Sequence, residues 1–383
     1  MDRRTFASIS TASLLCAPSV LRASKVQRVA VIGAGAAGLT AAYHLEKTGI
    51  TTQVLEAGPA WGGRVKRLSG FADVPLDLGA EWIHGAPTLL GRIVGVGETD
   101  LGVQTIDYAP QTFQFWHKGR LKSFNALRHA YEEVKFRDTT WYGFFEKHVL
   151  PAIGEKIAFN AAVSEISSEG AGVSIRLTDG RTVEADKAIV TVPLSVLQRG
   201  QITFADDLSP RDLRELRHID FGSGFKVFLK FDERFYPDIL LEGSRMSILA
   251  DTWASKIYYD AALGKPTGQN LFGLFTVSDG PLPRAEMDDR SLMEDILTEL
   301  TDIFGDVVRR TFVGGVVQNW SQEPHIRGSY SMTNNSDLAI DDILIPVAGR
   351  VFFAGEALGD EAQSTVHGAA FSAIKAVDQL WAS

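Results

Sequence analysis

Residues 28–38 read Arg28-Val29-Ala30-Val31-Ile32-Gly33-Ala34-Gly35-Ala36-Ala37-Gly38, and the chain runs on through residues 39–47 to Thr51-Thr52-Gln53-Val54-Leu55-Glu56. The first five are a short apolar, β-branched run, the pattern of a buried parallel strand. Good helix formers follow as far as Gly49, and a second β-branched run ends on an acid. Strand, glycine loop, helix and strand make a βαβ unit of about 30 residues. Gly33 serves the tight turn after the strand, Gly35 the approach of the backbone to a pyrophosphate, and Gly38 close helix–strand packing. A helix starting near Ala36, with Ala37 in its first turn, presents free N–H groups and a positive dipole end to phosphates. Glu56 lies 18 residues beyond Gly38, where a carboxylate takes ribose hydroxyls and disfavours the 2′-phosphate of NADP. The stretch predicts a Rossmann-like dinucleotide site.

The whole chain has 383 residues, 45% of them hydrophobic, enough for a sizeable core and for two domains rather than one. Its net charge of −9 makes nucleic acid a poor partner, because the phosphate backbone attracts Lys and Arg. A cationic substrate is compatible with that charge. One cysteine, Cys16, leaves no internal disulfide framework and no cysteine-based metal site, and no histidines have metal-ligand spacing. At the N-terminus Asp2-Arg3-Arg4-Thr5-Phe6 precedes an uncharged, mostly apolar run over residues 7–21. That run is too short for stable membrane insertion. Residues 1–24 therefore read as a bacterial twin-arginine export signal, with Ala23 the best cleavage candidate, and predict a periplasmic or secreted protein; the other reading is a frayed tail whose arginine pair is accidental.

Further along, residues 89–150 hold aromatic and helical stretches that include Trp141, Phe144 and Phe145. Strand patterns follow at residues 157–159, 173–177, 182–185 and 188–192, with a hairpin turn at Asp179-Gly180. Residues 225–231 alternate, 291–304 have helical spacing, 351–355 form a strand and 369–380 a closing helix. Nucleotide-binding elements thus sit near both ends, and the middle is inserted. The expected class is α/β: a discontinuous Rossmann-like cofactor domain (residues 25–85, 156–204 and 332–383) with an inserted α+β substrate domain (86–155 and 205–331).

Glu56-Ala57-Gly58-Pro59-Ala60-Trp61-Gly62-Gly63-Arg64, taken with the glycine loop, resembles the opening of the flavin-containing amine oxidases, a family that includes monoamine oxidases, polyamine oxidases and lysine-specific histone demethylases. The resemblance implies FAD. Gly63 and Arg64 inherit contacts to the FAD phosphates, although Arg64 also reads as a surface cation. Asp77-Leu78-Gly79-Ala80-Glu81-Trp82-Ile83-His84-Gly85 is similar to the segment beside the flavin ring, closest to polyamine oxidases of animal type. Gly79, Ala80, Glu81 and Trp82 become cofactor contacts by that likeness, and His84 a substrate contact or else a turn histidine. Val163 resembles the backbone contact on the adenine side, and Thr191-Val192-Pro193 the strand end near it.

Gly222-Ser223-Gly224-Phe225-Lys226-Val227 resembles the segment that supplies a lysine near flavin N5. In the family that lysine assists reoxidation by O₂, since a cation stabilises the negative charge that develops. The other reading of Lys226 is an outward-facing sheet lysine. Asn319-Trp320-Ser321 and Gly328-Ser329-Tyr330 resemble the region where monoamine oxidases attach FAD to a cysteine, and here that position is Ser329. The resemblance therefore implies non-covalent FAD. Tyr330 falls on the aromatic substrate cage, while Trp320 reads equally as cofactor contact or core. Phe353-Ala354-Gly355-Glu356 and Ser364-Thr365-Val366-His367-Gly368-Ala369 are similar to the closing FAD motif and to the helix start at the flavin O2 edge. Gly355, Glu356, Thr365 and Val366 are cofactor contacts on that basis. Thr365 stands where monoamine oxidases carry the second cage tyrosine, a departure that leaves room for a longer, thinner amine.

The expected protein is an FAD-dependent amine oxidase. It would take a small-molecule amine of polyamine type and O₂ to an imine and H₂O₂, with Lys226, His84, Tyr330 and Thr365 around the reacting centre. An L-amino-acid or monoamine oxidase remains a second reading; no arginine stands at a recognisable family position for a substrate carboxylate, which leaves Arg327 as the one to test. A flavin-binding protein without oxidase activity is a third. The sequence does not define the oligomeric state.

Overall fold

β1 (Arg28–Ile32) takes the centre of a five-stranded parallel sheet in the computed structural model, flanked by β2 (Thr51–Leu55) and by the strand Lys187–Val190. Ile157–Ala158 and Val351–Phe353 complete the sheet at its edges. The structure describes residues 26–123, 133–210, 213–242, 256–278, 282–334 and 339–383. The expected export signal and Cys16 lie outside the described residues. Ile32 pairs with Leu55 on one side and Val190 on the other, so three carboxyl ends meet at one edge. That is where open α/β sheets bind their ligands.

Helix α1 (Ala36–Lys47) and the C-terminal helix Val366–Ala382 lie against each other on one face of this sheet. Their buried faces are built from Ala37, Ala41 and Ala42 and from Ala369, Ala370, Ala373 and Ala376. Small side chains let two helices and a sheet approach closely. The other face is covered by the sheet Thr182–Ala185, Gly172–Leu177, Val163–Glu169 and Thr203–Phe204, which shares a core with Ala30, Ile32, Val190 and Phe353. The expected hairpin at Asp179-Gly180 joins two of its strands, with Gly180 at φ +88°. The strand Val163–Glu169, which the sequence pattern did not isolate, is irregular: its register shifts between Val163 and Glu165.

The inserted region is built on a seven-stranded mixed sheet. Phe312–Asn319 is followed by Ser223–Phe231, Asn270–Ser278, Lys256–Asp260, Ile239–Glu242, Phe113–His117 and Arg120–Ser123. Asp288 caps the helix Asp289–Phe304 by accepting from the N–H groups of Arg290 and Ser291. Leu292, Ile296, Leu297 and Leu300 of this helix share a core with Phe225, Val227 and Leu229. Strand alternation sends Lys226 and Phe228 to the opposite face. Phe228 there joins Leu76 and Leu78 in a separate core. Asn270–Ser278 went unread because Gly273 interrupts its apolar run; a side chain there would collide with the Tyr259 ring.

Residues 86–155 were expected to belong wholly to the substrate domain. Their side chains do not share one core. Leu89, Leu90, Ile93, Trp141, Phe144, Phe145, Val149 and Ile153 pack into the cluster that holds α1, whereas Phe113 and Phe115 join the seven-stranded sheet.

Lys187 closes the fold at the far end of the parallel sheet. Its buried ammonium donates to the Leu380 carbonyl (3.1 Å) and to Ser383 Oγ (2.6 Å), satisfying the end of the last helix. Lys187→Met keeps the stem and removes both bonds. It should cost about 1–3 kcal/mol of stability, the range for hydrogen bonds to a charged group, read as a lower midpoint in urea unfolding with an unchanged slope.

Candidate active site

The carboxyl ends of the parallel sheet open into a cavity of about 1320 Å³ that continues to the face of the seven-stranded sheet carrying Lys226. That exceeds the volume of about 300–1,000 Å³ usual for a single small ligand. It has room for a dinucleotide and a substrate. Of the residues predicted from sequence, Gly33, Gly35, Ala37, Glu56, Ala57, Gly63, Arg64, Gly79, Ala80, Glu81, Trp82, His84, Val163, Lys226, Trp320, Tyr330, Gly355, Glu356, Thr365 and Val366 all line it. Gly38 does not: it is packing, with the Gly33 carbonyl 1.9 Å from where a Cβ would sit.

At the phosphate end Gly33 turns at φ +105° and its N–H reaches the Leu55 carbonyl (2.8 Å). Glu56 accepts from the N–H groups of Ala34 (2.7 Å) and Gly58 (2.8 Å), which ties the loop to the end of β2. Helix α1 begins at Gly35 with no side-chain cap, in contrast to the helices begun by Thr140, Asp288 and Thr365. Its first-turn N–H groups and dipole are left for an anion. Gly35 and Gly355 both line the cavity. A Cβ on Gly35 would find its nearest atom, the Gly62 carbonyl, 4.0 Å away, and one on Gly355 would find none within 4 Å. Neither has a positive φ that would demand glycine, so packing and strain explain neither. Space for a bound group does. The donor set, the Glu56 carboxylate at the end of β2 and the two open glycines fit FAD.

Arg64 donates to the Ser329 carbonyl and to Glu356 Oε1, both at 2.9 Å. Glu356 also accepts from Ser331, through its N–H (3.1 Å) and its hydroxyl (2.7 Å). The resulting clamp joins three segments far apart in sequence. Thr365 is spent on the helix it begins, accepting from the Gly368 N–H (2.9 Å) and donating to the Ala362 carbonyl (2.7 Å). Its hydroxyl is a cap, and what it offers the cavity is small size. Trp320 is both core and wall: it is buried, and its indole N–H reaches the Leu78 carbonyl (3.1 Å). The Tyr330 phenol is pushed up to about 12 by burial and by Glu356, so it stays neutral.

Lys226 is buried rather than outward-facing, because residues 76–82 cover its side of the sheet. Its ammonium donates to the Gly79 carbonyl (3.1 Å) and to Glu81 Oε2 (2.6 Å). Glu81 also accepts from the Tyr259 hydroxyl (2.6 Å), and Lys135 lies 3.4 Å from its other oxygen. Burial works to raise the Glu81 carboxyl, but Lys226 and Lys135 overcome it and hold the group below the usual carboxylate range. Burial, reinforced by Glu81, pushes neighbouring Asp77 upward.

His84 is half exposed at the cavity's edge and pairs through Nδ1 with Glu133 (3.0 Å). His367 lies buried close by, depressed to about 4 by burial and then by His84 and Arg92. Reading the sequence did not reveal Tyr259, Lys135 or Glu133, whose places depend on pairing between distant strands. Lys135, a cation between Val134 and Phe136, carries the same local signal of a buried charge as Lys226 between Phe225 and Val227.

A family model described as flavin containing amine oxidoreductase matches residues 145–380, and one described as an NAD(P)-binding Rossmann-like domain matches residues 31–93. The chain belongs to the flavin-containing amine oxidoreductase family. That family is flavin-containing, and FAD is the flavin this site fits. Lysine-specific histone demethylase 2 of Homo sapiens is 26% identical over 92% of the chain, and polyamine oxidase 1 of Zea mays is 23% identical over 98%. The chain spans about half the length of that demethylase (53%) but 95% of the polyamine oxidase. A solved structure of putrescine oxidase bound to putrescine superposes with a TM-score of 0.74 at 16% identity, covering 93% of this chain and 99% of that one, which shows the shared fold. Among the described residues no helix is long and apolar enough to cross a membrane, and no cluster of three or more acidic, histidine or cysteine side chains could hold a metal.

Proposed function

We propose that this family member is an oxidase of small amines with a second, remote cationic group, and that it uses O₂ and binds FAD without a covalent bond. Bound FAD supplies the two-electron acceptor for the C–H bond beside the amine. Gly35, Gly63 and the α1 N-terminus would hold its phosphates, Glu56 its adenosine ribose, and the Arg64–Glu356 clamp would stand at its phosphate and ribityl region. The reading is carried by Lys226, a buried ammonium in the wall of the cavity that the glycine loop opens. There it favours the negative charge that develops as O₂ is reduced. The cage of Tyr330, Trp320 and Tyr259 offers aromatic faces to the amine end. No side chain in the described site is placed as an obligatory base. The substrate amine sheds its own proton before oxidation, so turnover should rise with pH.

Both arginines that line the cavity are already paired, Arg64 with Glu356 and Arg67 with Glu146. Arg327 is exposed and outside the lining. This favours amines without a carboxylate over L-amino acids. For the remote cation we assign the His84–Glu133 pair. Glu133→Gln should raise KM for putrescine and spermidine about tenfold, as expected for one charge-assisted hydrogen bond, and leave tyramine nearly unchanged. Equal effects on all three would remove the assignment.

Ser329 supports non-covalent FAD: its hydroxyl donates to the Gly222 carbonyl (2.8 Å), and the chain's one cysteine is residue 16. The Arg3-Arg4 segment supports export of the folded protein. Purified protein should be yellow, release free FAD on acid precipitation and bleach anaerobically with a responsive amine from a panel of putrescine, spermidine, tyramine and L-amino acids. Peroxide should appear on readmission of air. Flavin that stays with the acid precipitate would overturn the non-covalent reading, and bleaching without peroxide would overturn O₂ as acceptor.

A further inference from the structure

Lys226, Lys135, Tyr259 and Glu81 come from four strands or strand ends, and all four side chains are buried. One carboxylate here answers two lysines, and burial brings the Lys135 ammonium down to about 8. The remaining ionisable groups around it are accounted for. Asp77 is pushed upward and accepts from the Trp141 N–H (3.0 Å), and Lys265 donates to the Phe136 carbonyl (3.0 Å). Asp260 pairs with Arg234 (3.0 Å). Burial raises the Tyr259 phenol well above its ordinary range, and Glu81 adds to this, so it is a neutral donor.

A buried ion pair is weak evidence of stabilisation, since apolar side chains of similar volume commonly do as well or better. An excess of buried cations is less favourable still. The fold nevertheless keeps this arrangement against the cavity wall. An ammonium has three N–H groups. Gly79 and Glu81 accept two from Lys226, and the lysine lines the cavity. We propose that Glu81 is the positioning residue of this site: it keeps Lys226 as a charged ammonium and leaves the third N–H turned to the cavity, with Tyr259 and Lys135 fixing the carboxylate.

The consequence rests on the O₂ reading given above. Amine oxidation wants a neutral substrate amine, whereas reduction of O₂ wants a cation in the wall. The two demands pull in opposite directions as pH rises. A counter-charge reserved for the lysine separates them, because it acts on Lys226 and leaves the substrate amine free to lose its proton.

Glu81→Gln retains volume and one acceptor but removes the charge. Without a counter-ion, a buried ammonium sheds its proton instead of remaining charged. A neutral amine is nucleophilic, so the test is acetylation of Lys226 by N-hydroxysuccinimidyl acetate at pH 8. It is quantified by peptide mass spectrometry on full-length holoprotein. Glu81→Gln should label at least about tenfold faster than wild type, given the penalty for breaking a buried pair. Glu81→Asp, which keeps the charge, should stay close to wild type. Equal labelling of Glu81→Gln and wild type overturns the proposal. So does equally fast labelling of Glu81→Asp, which would point to loosened packing. Should Glu81→Gln fail to fold, Tyr259→Phe removes one bond to the same carboxylate oxygen; a smaller rise in labelling supports the proposal and no rise overturns it. Raised labelling with unchanged reoxidation by O₂ would leave the Glu81–Lys226 coupling in place and remove the oxygen role of Lys226.

Discussion

Lys226→Met is expected to slow reoxidation of the reduced protein by O₂ about 100-fold, the effect of removing one preorganised charge donor, with about twofold or less on anaerobic reduction by amine. The substitution keeps the apolar stem and gives up the ammonium's place over the Phe228 ring (5.2 Å). It also leaves Glu81 compensated, because Lys135 remains 3.4 Å from one oxygen and the Tyr259 hydroxyl 2.6 Å from the other. The split between half-reactions is therefore not a by-product of an orphaned carboxylate. Stopped-flow measurement of the two half-reactions at one pH decides the matter. Equal slowing of both would move Lys226 from the oxygen step to general integrity of the site, and no slowing of either would leave it a structural cation.

Residues whose work is done by their neighbours in sequence were legible. The Gly33–Gly38 loop could be read because its turn, helix start and packing contact lie within eleven residues of β1, and Glu56 because β2 is the next strand. The Asp179-Gly180 hairpin is local in the same sense. The residues around Lys226 were not legible in that way. Glu81 lies 145 positions from Lys226 and 178 from Tyr259, and nothing in either segment specifies which strand will face it. Glu81 was read as a cofactor contact by family likeness. It does line the cavity, yet its carboxylate is engaged by protein cations. Arg64 and Glu356 were each assigned toward FAD, but their 2.9 Å pairing, across 292 positions, shows that each first orients the other. Thr365 was read through the size of its side chain; its capping role follows from the N–H of Gly368, which any helix beginning there would expose. Residues 86–155 went to one domain in the reading because they are contiguous. Helical spacing around Trp141, Phe144 and Phe145 says that an apolar face exists but not which core receives it.

Two alanine substitutions in the glycine loop should fail in different ways. At Gly38 the added Cβ would lie 1.9 Å from the Gly33 carbonyl oxygen and 2.8 Å from Thr191 Oγ1, so α1 must move away from β1 and from the strand end beside it. Backbone cannot yield as a flexible side chain does. Gly38→Ala should cost about 3 kcal/mol, the upper end for an overpacked site, and lower Tm by about 4 °C even in flavin-free protein. At Gly35 the same methyl group would meet no protein atom closer than 4.0 Å, and the backbone there is extended. Gly35→Ala should leave the Tm of flavin-free protein within about 1 °C of wild type, as for a substitution that disturbs no packing. It should nevertheless weaken FAD about 100-fold, near 2.7 kcal/mol, because the methyl group takes the space through which the backbone approaches the pyrophosphate. Thermal unfolding of the flavin-free proteins and FAD titration followed by flavin fluorescence separate the two effects. If Gly35→Ala bound FAD as tightly as wild type, the pyrophosphate would have to lie elsewhere than over the start of α1. The open space beside Gly355 would then need a different occupant as well.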